Sequence, residues 1–186
     1  ALKALLADGK VKLVAFPHCS NVVAEINDVA EISAIAKAAG ARVVVDGVSY
    51  APHGFPDFPA LGCDVYLFSA YKTYGPHQGI MVIAEEFGAE LPAQGHYFNA
   101  GSLYKRFTPA GPDHAQIAAC AGMADYIDAL HAQHFASEPD ATARNRAVHD
   151  LMHAQEVAVV APLLDYLAQR NDLRLIGPRD AAARAP

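Results

Sequence analysis

Arg42-Val43-Val44-Val45-Asp46 decides the fold. Three consecutive β-branched residues, closed by an acid, describe a strand buried on both faces, as in a parallel sheet. On its N-terminal side, Asp28 and Glu31 stand three apart and open a helix in the manner of a capping box. Val29, Ile32, Ile35 and Ala36 give that helix one apolar face, and Gly40 stops it. Further back, Val11-Lys-Leu-Val-Ala-Phe16 is a second short apolar run, ended by Pro17. Strand, helix, strand in this order predicts a βαβ unit with parallel strands and a right-handed crossover.

Downstream of Asp46, Asp64-Val-Tyr-Leu-Phe-Ser69 predicts a third strand and Gly79-Ile-Met-Val-Ile-Ala84 a fourth. The gap between them is too short for a helical crossover, so the fourth strand is expected antiparallel, in a mixed sheet. Glu85 to Pro112 reads as loops, His114 to His134 as a helix, and Ala141 to Gln169 as a long helix kinked or split at Pro162. Leu173-Arg-Leu-Ile176 reads as the opening strand of a second unit. The expected fold is therefore α/β, a mixed but mostly parallel sheet with flanking helices. Residues 1–140 are expected to form a large domain and 141–186 the start of a small α+β domain. The ends look cut, as in part of a longer polypeptide.

Composition narrows the function. The 186 residues are 53% hydrophobic and 18% charged, as in a globular protein, and the net charge is −6. That charge argues against a nucleic-acid surface and supplies no basic stripe for anionic lipid. No apolar run has the length of a membrane span. Cys19, Cys63 and Cys120 are scattered without metal-site spacing, which points to reduced thiols and a cytoplasmic location. His149 and His153 share a helix face, but no Glu or Cys completes a recognisable metal site beside them. Cys19 reads as a small buried thiol; His18 and His53 read equally well as lining a crevice or as packing. Phe98, Tyr104 and Phe107 read as loop packing or a subunit contact.

Ligands of open α/β sheets bind beyond the carboxyl ends of the parallel strands. Asn21 follows the first strand, Asp46 ends the second, and Ser69-Ala-Tyr-Lys72 follows the third. If these strands are neighbours, all three groups converge. A partly buried lysine there invites a Schiff base, because burial and nearby cations favour the neutral amine. The Asp46 carboxylate complements a pyridine-type ring nitrogen, and the Ser69 hydroxyl suits a phosphate.

The segment Ser69-Ala-Tyr-Lys-Thr-Tyr-Gly-Pro-His-Gln-Gly79 resembles the Ser-x-His-Lys-x-x-Gly-Pro-x-Gly segment of class V aminotransferases and cysteine desulfurases. His18-Cys-Ser-Asn21 is similar to their Ser-Asn segment, and Val43-Val-Val-Asp46 with Ala51-Pro-His53 to their Val-Asp-x-x-Gln-x-x-Pro-His segment. The spacing agrees as well: 25 positions from Asn21 to Asp46 and 26 from Asp46 to Lys72. The resemblance implies pyridoxal 5'-phosphate (PLP) as cofactor, an amino acid as substrate, and a homodimer. It implies Lys72 as the lysine that carries the cofactor and moves protons, and Asp46 as partner of the ring nitrogen. Asn21 is implied beside the ring oxygen, and Ser69 at the phosphate. Three positions depart from the pattern. Tyr71 replaces a phosphate-binding histidine, for which its hydroxyl can substitute. Ser49 stands where a glutamine contacts the ring oxygen. Pro112, in Ala110-Gly-Pro112, replaces the threonine that reaches a partner subunit's phosphate. Desulfurase-like chemistry leads, with transamination or elimination as alternatives. The resemblance places the desulfurase cysteine and the carboxylate-binding arginine in later segments. A lysine aldolase without PLP and a non-catalytic pseudoenzyme are the rivals.

Overall fold

The computed structural model describes residues 1–108 and 111–185. Four strands form one sheet in the order β1 (Leu13–Pro17), β2 (Arg42–Asp46), β3 (Val65–Ser69), β4 (Gly79–Ile83). β1 to β3 are parallel and β4 runs antiparallel to β3, as the short β3–β4 connection requires. The expected mixed, mostly parallel sheet with flanking helices is therefore observed.

Between β1 and β2 lies an α-helix, Val29–Ala38. Numbered in chain order, it is α2, because a short helix, α1 (Leu2–Leu6), precedes β1 and was not anticipated. The Asp28 carboxylate accepts from the Glu31 N–H at 2.9 Å and so satisfies one of the free donors of the first turn. Gly40 follows the helix at φ 78°, a left-handed turn that a Cβ would strain. Val29, Ser33 and Ala36 form the buried stripe of α2. With Leu6 of α1, the stripe joins Val43, Val45 and Tyr66, which the pleat puts on one face of the sheet. Each fully buried valine contributes roughly 1.5–3 kcal/mol. On the opposite face, Leu13, Leu67 and Met81 are 53%, 36% and 44% exposed, and the helical cover is partial: the short helix Glu85–Glu90 meets Arg42 and Ile83 there.

The remaining helices are α3 (Phe58–Leu61), α4 (Glu85–Glu90), α5 (His114–Ala119), α6 (Ala121–His134) and α7 (Ala141–Ala168). α4 lies in the stretch read as loops, its two glutamates at the start suiting the positive end of the helix dipole. The helix expected from His114 divides at Cys120, although that residue keeps helical backbone angles. α7 passes through Pro162 unbroken. Ala158, whose carbonyl loses its partner there, is exposed, and water can replace the missing bond. Leu173 to Ile176 do not form a strand, and no strand follows β4 among the described residues, so the expected α+β character is not seen there. The C-terminal segment instead turns back to the exit of β1. Ala185 N–H donates to Ala24 O at 3.1 Å, and Glu25 bridges Arg184. Ala110 of the Ala110-Gly-Pro112 segment lies outside the described residues.

Candidate functional site

The register fixes where the predicted residues stand. Pro17 pairs with Asp46, and Asp46 with Leu67, so β1 and β2 end level and β3 runs two residues further past the same edge. Backbone bonds seal that edge. His18 N–H donates to Asp46 O at 2.7 Å, and Gly47 N–H to Leu67 O at 2.7 Å. The segments carrying Asn21, Asp46 and Lys72 are thus brought to one end of the sheet.

Asp46 is exposed, and its carboxylate accepts one bond, from Val48 N–H at 2.9 Å. The half-buried Ser49 follows in the same turn. Asn21 is exposed in a turn organised by Ser20, whose hydroxyl accepts from the Val22 and Val23 N–H groups at 3.3 Å each. Ser69 ends β3 opposite Gly79, half-buried. The loop between them is tight. Ala70 N–H donates to Gln78 O, and Thr73 and Gly75 N–H both donate to Ala70 O, all at 2.8 Å. The buried Thr73 hydroxyl donates to Ser69 O at 2.9 Å. A side chain on Gly75 would lie 2.6 Å from Met123 Sδ, so glycine is needed there for close approach.

On this loop Lys72 is exposed. The partial burial expected around its amine is not present. None of the ion pairs among the described residues includes Lys72 or Asp46. Tyr71 is also exposed and stacks on His77, ring centroids 4.7 Å apart at 7°. The donor set matches PLP in kind: an uncommitted primary amine, a carboxylate with capacity to accept, and hydroxyls on Ser69 and Tyr71. No metal-binding cluster exists among the described residues.

Beneath the edge is a packed aromatic layer. His18 is 5% exposed, stacks on Tyr50 at 3.6 Å, and bonds the Tyr66 hydroxyl through Nδ1 at 2.9 Å. Burial lowers its pKa from 6.5 to about 4 and raises that of Tyr66. His18 therefore packs beneath the edge, and it also lines the neighbouring cleft. Cys19 is a buried thiol whose pKa burial raises. His53 pairs with Glu156 of α7 at 2.7 Å, and Asn145 of α7 donates to Phe55 O at 3.1 Å. A cleft of about 890 Å³ opens between the Gly54–Leu61 stretch and the start of α7, but Asn21, Asp46 and Lys72 do not line it. Sequence reading missed Tyr74 and Glu156. Tyr74 has φ 65°, unusual for a residue with a Cβ. Glu156 stands 103 positions from His53, and no local pattern announces such a pair.

A mixed α/β sheet with a lysine, an acid and hydroxyl groups at the carboxyl edge of its parallel strands is the framework of a ligand-binding α/β protein. The class-V aminotransferase profile matches residues 1–184, and the chain belongs to that family. It is 33% identical over 189 aligned positions to an aminotransferase-like protein of Gibberella zeae, covering 100% of this chain and 43% of the relative. It is 31% identical to a cysteine desulfurase of Cronobacter sakazakii, covering 94% of this chain and 42% of the relative. Among solved structures, a cysteine desulfurase of Escherichia coli superposes with a TM-score of 0.68 at 22% identity, over 96% of this chain and 45% of that one. An apo cysteine desulfurase of Thermococcus onnurineus gives 0.64 at 24% identity, over 97% and 45%. The structural likenesses concern the fold. The chain spans less than half the length of these curated relatives.

Proposed function

We propose that this chain carries the cofactor-lysine segment of a PLP-dependent enzyme that acts on an amino acid, with cysteine desulfurase-like chemistry. The observation that supports it is the parallel run of β1, β2 and β3 toward one edge, which gathers the segments of Asn21, Asp46 and Lys72 there. PLP, when bound, supplies an electrophilic carbon and a ring that accepts electrons from the substrate. Lys72 is the amine that holds the cofactor and, once released by substrate, moves a proton to or from the substrate α-carbon. Asp46 faces the ring nitrogen and keeps it protonated. Asn21 and Ser49 would serve the ring oxygen, and Ser69 and Tyr71 would hold the phosphate. In this reading residues 1–140 belong to a large domain, 141–186 begin a second, and the working form is a homodimer in the cytoplasm. No described helix is long and apolar enough to cross a membrane.

Transamination is the second reading, because the aminotransferase-like relative matches at 33% identity, beside 31% for the desulfurase of Cronobacter sakazakii. Of this chain's own thiols, Cys19 and Cys63 are buried, and neither is free to take sulfur from a substrate.

Borohydride reduction in the presence of PLP, followed by peptide mapping, tests the assignment. The pyridoxyl group is expected on Lys72 and absent in the Lys72→Ala variant. Labelling of Lys10 or Lys105 in its place overturns the reading. This chain alone is expected to show no turnover, so feeding cysteine or alanine to the loaded full-length enzyme then separates sulfide release from keto-acid formation.

A further inference from the structure

Tyr74 holds a left-handed backbone angle, φ 65°, two residues beyond Lys72. A side chain with a Cβ adopts this region only at a cost in strain, and it persists only where surrounding contacts impose it. Those contacts are visible. The Tyr74 hydroxyl donates to Pro52 O at 3.1 Å, and its ring lies on Tyr126 of α6, centroids 4.8 Å apart. The flanking Thr73 and Gly75 amides are both tied to Ala70 O.

Pro52 sits in the short helical turn Ala51–His53 that leaves β2. Its neighbour His53 bonds the Glu156 carboxylate of α7 at 2.7 Å. The second oxygen of that carboxylate is out of solvent and has no hydrogen-bond partner among the described residues. A continuous series of contacts therefore runs from α7 through Glu156, His53, Pro52 and Tyr74 to the lysine loop. Tyr50 from the β2 exit, His149 and His153 from α7, and Arg184 from the C-terminal segment line the same small cavity, of about 170 Å³, as the His53–Glu156 pair. α7 and the C-terminal segment thus surround the pair, and both lie outside the sheet.

We infer that Tyr74 is a positioning residue: it anchors the Lys72 loop to the His53–Glu156 pair, so that the seating of α7 is felt at Lys72. The role assigned to Lys72 rests on the proposed function; the coupling between α7 and the loop does not. A purely packing role for Tyr74 needs only the ring, which phenylalanine supplies. An anchoring role needs the hydroxyl, and it makes removal of the Glu156 charge act at the same place.

A double-mutant cycle with Tyr74→Phe and Glu156→Gln decides this. Two readouts are taken: amide hydrogen exchange of Thr73 and Gly75 without cofactor, and affinity for PLP at Lys72. Each single variant is expected to speed exchange about tenfold and weaken PLP about tenfold, and the double variant to do no more than either alone. Wild-type exchange in either single variant, or independent effects multiplying to about a hundredfold in the double, overturns the inference. Absence of any PLP adduct on Lys72 in the unmodified chain overturns the proposed function instead, and the exchange arm still decides the coupling.

Discussion

The two ends of the sheet each carry an aspartate, and they differ in what surrounds it. At the amino end, Asp64 is 3% exposed and fully engaged. Its carboxylate accepts from Val43 N–H at 2.7 Å and meets Lys37 of α2 at 3.3 Å and Arg42 of β2 at 3.4 Å. Arg42 in turn grips Glu90 of α4 with two bonds. This end is closed, and its charges hold α2, β2, β3 and α4 together. At the carboxyl end, Asp46 is exposed with a single bond from Val48 N–H, and Lys72 is exposed. A carboxylate with one exposed bond adds little to stability and keeps its other lone pairs for a ligand. The difference separates an acid that builds the fold from an acid available for chemistry.

The largest effect that sharpens this contrast is expected at Asp46. Asp46→Ala removes one exposed hydrogen bond, so stability is expected to change by less than about 1 kcal/mol. With PLP bound to the full-length enzyme, the rate of α-proton exchange from an amino acid is expected to fall by about a thousandfold or more, or roughly 4 kcal/mol of lost transition-state stabilisation. Proton exchange followed by NMR, beside urea unfolding of the same variant, gives both numbers. A variant that exchanges at the wild-type rate would show that Asp46 does not serve the ring nitrogen.

At the closed end the pattern should reverse. Asp64→Ala leaves the buried Val43 N–H without its acceptor and Lys37 without its anion, while Arg42 keeps Glu90. Lys37 and Arg42 are half-exposed and water can solvate them, so the cost is that of the unsatisfied buried donor, about 1–3 kcal/mol. The urea midpoint is expected to drop accordingly at unchanged slope. If Asp64→Ala and Asp46→Ala destabilise the chain equally, the contrast between the two ends fails.

The strand order and the antiparallel β4 were legible because apolar period and connection length constrain them strongly. Val43, Val45 and the capping pair Asp28 and Glu31 behave as their residue types dictate. Three features were hidden because they depend on partners distant in sequence. Asp64 looked like the first residue of a strand, and nothing local says that Lys37 and Arg42 close on it. Glu156 carries no local signal on its long helix, and only the fold brings His53 to it. The failure at Leu173 to Ile176 has the same origin, since an apolar run becomes a strand only where a neighbour offers a ladder. At the candidate site, the positions of Asn21, Asp46 and Lys72 followed from element order alone. The exposure of Lys72 did not, because burial depends on contacts distant in sequence.

His18 shows that the carboxyl end is open only at its rim. The ring is buried between Tyr50 and Tyr66, and its pKa in the folded chain is lowered from 6.5 to about 4. The cause is burial, which penalises the charged imidazolium. Unfolded chains therefore bind a proton near pH 6.5 that folded chains accept only near pH 4. The stability contributed by the neutral ring is fully present above pH 6.5 and is lost as pH falls from 6.5 through 4. A shift of this size corresponds to roughly 3 kcal/mol at the acid limit. His18→Gln keeps a polar side chain that does not titrate. It is expected to be less stable than wild type at pH 7, having lost the stack on Tyr50 and the bond to the Tyr66 hydroxyl. The gap should shrink by about 3 kcal/mol between pH 7 and pH 4, because wild type alone pays for protonating this ring. The other titrating groups are common to both proteins and cancel in the difference, so urea unfolding at several pH values isolates His18. A gap that stays constant across that range would mean that His18 charges freely in the folded state. The layer beneath Asn21 and Asp46 would then be as open to water as the rim above it.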